Sequence, residues 1–292
     1  MNDKIKSFEM HLKEEEKAEN TINKYSHDIK EFYNWFKLVG AKLDEPRITK
    51  ETLLDYKEYL KKSKLKVSSI NSKISSLNSY FTYTENESLK LKVLKCQKSL
   101  FGSTKKQLTT NELKKLYNAT RNDERLKLLI ETISKTGIRV SEVKYITVGA
   151  LKNGKAEIDN KGKIRTILIP RKLCIKLLDY YHRKKTIRTG IPTCTGKLYE
   201  PIFTTRNGKP LDRKQIWQML KNLADKAGVP REKVFPHNLR HLFAREFYRQ
   251  THDIVKLASI LGHSSIETTR IYTKETEDEC RIYIEKIEIL RE

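Results

Sequence analysis

Ile22, Tyr25, Ile29, Phe32 and Phe36 recur at intervals of three and four residues across Thr21–Leu38. On a 3.6-residue helix that spacing lines up one apolar stripe on an otherwise polar surface. Ile5, Phe8 and Leu12 form a shorter stripe before it. Thr49 caps a third helix carrying Leu53, Leu54, Tyr56 and Leu60, and Val67, Ile70, Ile74, Leu77 and Phe81 mark a fourth. The first hundred residues therefore predict four or five short helices folded into one helical domain. Aromatic residues at helical spacing build cores, so Trp35 and Phe36 receive no function.

Periodicity fades from Lys90 to Gln107, where lysines punctuate a stretch holding Gly102 and Ser103. That composition predicts a basic linker over 97–107, between a domain at 1–96 and another at 108–292. Thr109-Thr110-Asn111-Glu112 then supplies a capping box for the next helix. The second domain reads as mixed. A helix over Glu124–Lys135 breaks at Gly137, and two strands, Ala156–Ile158 and Lys163–Ile169, flank Asn160-Lys161-Gly162 as a hairpin. Helices follow near Leu173–Lys185, Gln215–Lys226, Leu239–Arg249 and Ile254–Leu261, and Arg188–Pro210 reads as a long irregular excursion. The fold class expected is mainly α with a small β-sheet.

Charge is unevenly spread over the 292 residues. Residues 1–96 hold 19 Lys+Arg against 15 Asp+Glu, residues 97–272 hold 37 against 15, and residues 273–292 hold 4 against 7. The formal net charge of +23 thus lies in the middle of the chain, which points to a polyanionic partner there. Cys96, Cys174, Cys194 and Cys280 form no CxxC pair, so neither a zinc ribbon nor a disulfide framework is expected. Met1-Asn2-Asp3-Lys4 opens without an apolar run and no stretch approaches a membrane span, so a cytoplasmic protein is expected.

Chemistry concentrates in that basic segment. Thr136-Gly137-Ile138-Arg139-Val140-Ser141-Glu142 sets an arginine after a sharp turn. His237-Asn238-Leu239-Arg240-His241 is followed by Leu261-Gly262-His263, and Tyr272 stands nine residues beyond that histidine. Guanidinium forks grip phosphate oxygens, imidazoles move protons near neutrality, and a phenol oxygen can attack phosphorus. These are the parts needed to break a phosphodiester without a metal. His237 and His241 lie one turn apart like a zinc pair, but neither the Glu of HExxH nor a third ligand accompanies them. No GxxxxGK[ST] and no carboxylate cluster for magnesium is present, so no cofactor and no metal is expected.

The two boxes, Thr136–Val143 and His237–Thr273, resemble those of the tyrosine recombinases, or phage-type integrases, which include the Xer-type resolvases. With the hairpin lysine the resemblance spans most of 109–276, and the amino-terminal helices fit that family's core-binding domain in general character. It implies an all-helical core-binding domain followed by a mixed catalytic domain. It implies that Arg139 and Arg240 hold the scissile phosphate, that His237 accepts the proton of the phenol or binds phosphate, and that His263 makes a second phosphate contact. Lys161 would protonate the departing 5′-oxygen, with Lys163 the competitor, and Tyr272 would be the nucleophile of a 3′-phosphotyrosyl intermediate. His241 is expected to pack behind them, and His11, His27, His182 and His252 to be ordinary. Thr251-His252 and Lys274 depart from the pattern where a glycine before an acid, and a histidine, are common.

The partner implied is double-stranded DNA with inverted-repeat core sites, bound by a homotetramer across two synapsed sites in the nucleoid. After Tyr272 the acidic tail places Tyr283, Ile287 and Leu290 on one stripe, so a helix over 277–292 docking on a neighbouring protomer is expected. Two other readings stand beside recombination. A type IB topoisomerase uses the same chemistry to relax supercoils, and a catalytically silent DNA-binding regulator would keep the charge without needing all six site residues.

Overall fold

The computed structural model describes residues 2–40, 47–95, 107–160, 163–184, 191–192, 198–263 and 265–272, together with Arg281 and Glu285. Its backbone separates into two compact units, Met1–Lys98 and Ser99–Glu292. The fold is mainly helical with small antiparallel sheets.

In the first unit α1 (Asn2–Glu14), α2 (Glu19–Gly40), α3 (Lys50–Lys62) and α4 (Val67–Tyr83) enclose a single core. Ile5, Phe8, Leu12, Ile22, Ile29, Phe32 and Phe36 are all buried, while Tyr25 closes the edge of the stripe. Phe32 meets Tyr56 edge-on at 5.0 Å, and Phe8 meets Tyr80 likewise at 5.3 Å. Burying each such ring contributes about 1.5–3 kcal/mol, which outweighs the helix propensity of these short segments. Trp35 packs partly buried against Tyr56, at 5.0 Å. Thr49 caps α3, and Thr52 takes the reciprocal place usually held by Glu or Gln. Two asparagines of α4 then hold the chain that follows. Asn71 exchanges hydrogen bonds with the backbone of Leu94 (2.8 and 2.7 Å), and Asn78 does so with Leu91 (2.8 Å each way). Side-chain amides here do for an extended segment what a neighbouring strand would do.

The second unit opens with α5 (Thr110–Ala119), whose capping box pairs Thr109 and Glu112 as the sequence predicts. There follow α6 (Glu124–Thr136), a 3-10 segment Val140–Tyr145, α7 (Val148–Lys152), β1 (Lys155–Asn160), β2 (Lys163–Leu168), α8 (Arg171–Arg183), β3 (Ile191–Pro192) and β4 (Leu198–Tyr199). The chain ends its described course with α9 (Arg213–Ala227), α10 (Pro236–Thr251), α11 (Ile254–Leu261) and two 3-10 turns, Ile266–Thr268 and Arg270–Tyr272. Strands β1 and β2 pair antiparallel from Lys155↔Leu168 to Asn160↔Lys163. Ala156, Ile158 and Ile167 face the core, while Ile164 and Leu168 stand 74% and 68% exposed, so one face of the hairpin is packed and the other is open. Helices α8, α9 and α10 begin two or three residues before the apolar pattern shows, whereas α6 and α11 begin where it predicts. α10 starts at Pro236 rather than near Leu239, because a proline at the first helical position gives up no hydrogen bond.

One expectation needs correction. The excursion Arg188–Pro210 is not wholly irregular: Ile191–Pro192 pairs with Leu198–Tyr199, and Thr147 and Thr204 bridge to Pro201 and Pro210. The paired strands are two residues each, too short to display alternation in the sequence. Most of the 97–107 linker and of the 277–292 tail lies outside the described residues. Among the described residues no helix is long and apolar enough to cross a membrane.

Candidate active site

Two helix ends build the site. α6 stops at Gly137 and α11 at Gly262, both left-handed with φ of 62° and 61°. A left-handed residue reverses the chain and leaves the last carbonyls of the helix exposed as acceptors. At Gly137 a Cβ would lie 2.4 Å from the Phe243 ring, and at Gly262 it would lie 2.2 Å from Cδ of Arg165. Both turns therefore need glycine for space as well as for conformation. Past Gly137, Ile138 drops into the core and Arg139 stands just before the 3-10 segment as its N-cap, with its side chain reaching the end of α11.

That end holds three arginines on three successive carbonyls. Arg165 Nη2 donates to Ile260 O at 2.9 Å, Arg240 Nη2 to Leu261 O at 2.7 Å, and Arg139 Nη2 to Gly262 O at 3.1 Å. The partial negative charge of a helix carboxy-terminus offsets the repulsion among them. Each also has a second anchor. Arg240 Nη1 donates to Gly137 O at 2.5 Å, so both helix ends meet on one guanidinium. Arg139 and Arg165 share Glu142, at 3.0 Å for Arg139 and 2.9 and 3.0 Å for Arg165. One buried carboxylate faces three guanidiniums, so the site keeps a surplus of positive charge suited to an oxyanion. Arg240 is only 2% exposed. Burial first, then Arg139 and Arg165, push its pKa down to about 10, which leaves it charged at neutral pH.

The imidazoles and the phenol line the same place. His237, Arg240 and His241 fall at i, i+3 and i+4 on the first turns of α10 and share a face. His263 Nε2 lies 3.2 Å from Arg240 Nη2, and its Nδ1 lies 2.8 Å from Thr269 Oγ1. A guanidinium can only donate, so Nε2 accepts and the proton sits on Nδ1, facing the hydroxyl of Thr269. Burial, then Arg240, Arg139 and Arg165, lower His263 to about 4, in keeping with that neutral form. Tyr272 is 5% exposed, in a small cluster with Ala244, Leu257 and Leu261. Its ring stacks on His263 with centroids 5.9 Å apart and meets His241 at 4.7 Å. His241 in turn meets His237 edge-on at 4.3 Å. Burial and the His237 ring lower His241 to about 3, and desolvation with Arg240, Arg139 and Arg213 lowers His237.

Five of the six residues singled out in the sequence, Arg139, His237, Arg240, His263 and Tyr272, thus stand together in one chain. The sixth, Lys161, lies outside the described residues; Lys163 opens β2 opposite Asn160. His241 sits behind His237 and against Tyr272. Among the described residues no three His, Cys, Asp or Glu side chains gather as metal ligands. Sequence reasoning assigned nothing to Arg165, Glu142 or Thr269. Strand alternation places Arg165 on the same side of β2 as buried Ile167, and that was its one local signal.

The profile of the phage integrase family matches residues 106–279, and that of the phage integrase N-terminal SAM-like domain matches residues 5–88. The chain is 30% identical over 296 residues to tyrosine recombinase XerA of Pyrococcus horikoshii, covering 99% of this chain and 95% of that protein. It is 28% identical to the TnP I resolvase of Bacillus thuringiensis, covering 93% and 95%. Among solved structures it shares the fold of the XerH recombinase in a post-cleavage complex with palindromic difH substrate (TM-score 0.70, 22% identity, 91% of this chain and 79% of that one). It shares it also with a lambda integrase dimer bound to a core site (TM-score 0.67, 19% identity, 93% and 94%).

Proposed function

Because this chain belongs to the phage integrase family and is a tyrosine-type site-specific DNA recombinase, we propose that Tyr272 cuts one DNA strand at a time with the help of Arg139, Lys161, His237, Arg240 and His263. The Tyr272 oxygen attacks phosphorus, a phosphotyrosyl bond forms on the 3′ side, and the bond to the 5′-oxygen breaks. The phenol proton passes to His237, whose pKa is lowered by desolvation first and then by Arg240, Arg139 and Arg213. Lys161, or Lys163 beside it, returns a proton to the departing 5′-oxygen. Arg139 and Arg240 hold the non-bridging oxygens and stabilise the charge of the pentavalent transition state. A single fixed donor of that kind is worth about 3–4 kcal/mol in comparable sites. His263 adds a third contact on the phosphate. Reversal by a 5′-hydroxyl from another strand rejoins the backbone, and bond energy conserved on the tyrosine removes any need for ATP or a divalent ion.

The observation that carries this reading is the buried phenol of Tyr272 packed on His263 and His241 close to the Arg240 guanidinium of its own chain. The partner is duplex DNA. The helical unit would bind the core site together with the catalytic unit, and four protomers would join two inverted-repeat sites, an assembly that sets the protein with the nucleoid in the cytoplasm. Full-length likeness to recombinases favours exchange over relaxation or silent binding. A binding site is obtained by selecting random duplexes with the full-length protein. A nicked suicide duplex carrying that site should trap a covalent protein–DNA band, and Tyr272→Phe should abolish it. A band that survives this substitution overturns the assignment of the nucleophile.

A further inference from the structure

We propose that Arg165 is a positioning residue that fastens the lysine hairpin to the arginine cluster, an inference resting on the reading of the hairpin lysine as general acid. Arg165 lies on β2, two residues beyond Lys163, and its side chain is 11% exposed. It spans two fixed acceptors. One Nη donates to both oxygens of Glu142, itself 5% exposed, and the other donates to Ile260 O at the end of α11. A planar fork with two donating ends can make both bonds at once, which an ammonium cannot. Room for it exists only because residue 262 is glycine, since a Cβ there would overlap Cδ and Nε of Arg165 at 2.2 and 2.5 Å.

The other two guanidiniums do not depend on it. Arg139 keeps Glu142 and Gly262 O, and Arg240 keeps Gly137 O and Leu261 O, when Arg165 is removed. Among the described residues the hairpin makes no other hydrogen bond to the arginine cluster: its outward residues Ile164 and Leu168 are exposed, and Ile158, which pairs with Arg165, is buried but can only pack. Loss of Arg165 therefore frees the hairpin first and the phosphate grip last. The protonation of the leaving oxygen should suffer while the hold on the phosphate persists.

A sulfur substitution separates these two effects. When the 5′-bridging oxygen of the scissile phosphate is replaced by sulfur, the P–S bond breaks with its electron pair on sulfur, and the thiolate leaves without needing a proton. The test compares single-turnover cleavage of oxygen and sulfur suicide duplexes, built on the selected site, by the full-length protein and its Arg165→Met, Arg165→Lys, Lys161→Ala and Lys163→Ala variants. General-acid catalysis is worth about 10²–10⁴-fold, so Arg165→Met should lose on the order of 10- to 100-fold on oxygen and recover to about wild-type rate on sulfur. Arg165→Lys should show the same pattern more weakly, and it carries the test if the Met variant lacks a cooperative melting transition. An equal defect on both substrates, or none on either, overturns the inference provided one lysine variant is rescued by sulfur. If neither lysine variant distinguishes oxygen from sulfur, the general-acid reading fails and this inference falls with it.

Discussion

Burial first, and the charged and imidazole neighbours after it, hold the site histidines in their neutral form. His263 is pushed to about 4 and His241 to about 3, against about 6.5 in an unfolded chain. The unfolded chain thus takes up protons at these positions as pH falls through about 6.5, and the folded chain does not until far lower. Stability should be level above pH about 7 and decline between about 6.5 and 4, by at most about 1.4 kcal/mol per pH unit for each fully excluded proton. Carboxylates held low, such as Asp28 and Glu131, act only below about pH 4.5, so the upper part of that window belongs to histidine. Urea unfolding followed from pH 7.5 to 5 measures it, and His263→Gln should flatten the slope; a wild-type curve already flat over that range refutes the assignment. The spacing of His237, Arg240, His263 and Tyr272 was legible in the sequence because these residues sit on or beside two consecutive helices. Arg165 was not: it is one of 60 cations, and its backbone partner lies 95 positions away. Only the folded chain shows that a strand side chain meets a helix end.

Among the elements, the two helix terminations matter more than the helices they close. Gly137 combines a φ of 62° with contact on the Phe243 ring, and its carbonyl holds Arg240. Gly137→Ala must strain the backbone and displace Phe243, so a stability loss of about 1–3 kcal/mol is expected, with cleavage reduced further because Gly137 O shifts. Thr109→Ala is the contrast. It removes the cap of α5, about 1 kcal/mol, at a place remote in function from the arginines, and cleavage should be retained. Denaturant midpoints and suicide-substrate rates of the two variants decide the matter. If both lose activity in proportion to stability, the carbonyl of Gly137 has no special part. Elements of this kind divide by what encodes them. Capping boxes and apolar stripes are local and were read correctly, including Thr109–Glu112 and α2. The Asn71 and Asn78 ladder and the Ile191–Tyr199 pairing rest on partners too distant, or strands too short, to leave any period.

For the whole molecule, charge and assembly are separable. The surplus of cations lies in residues 97–272, so contacts with DNA phosphates should dominate affinity and make it fall steeply with salt. Residues 279–292 carry 4 acidic and 3 basic side chains, so removing them changes the net charge by a single unit. A truncation after Asp278 should therefore bind one core site with the affinity and the salt slope of the full chain, because counterion release counts the phosphates neutralised and those cations remain. The tail also carries Tyr283, Ile287 and Leu290 at helical spacing in the sequence, and we propose that they dock on a second protomer. Burying three such side chains contributes several kcal/mol, at about 1.5–3 kcal/mol each, enough to decide whether weakly held protomers stay together on two sites. Gel shifts over a salt series would show unchanged binding to one site, while complexes joining two labelled duplexes would be lost with the tail. If the truncated protein still pairs two sites as well as the full chain does, the tail is not the link, and the contacts between protomers must lie in the two folded units.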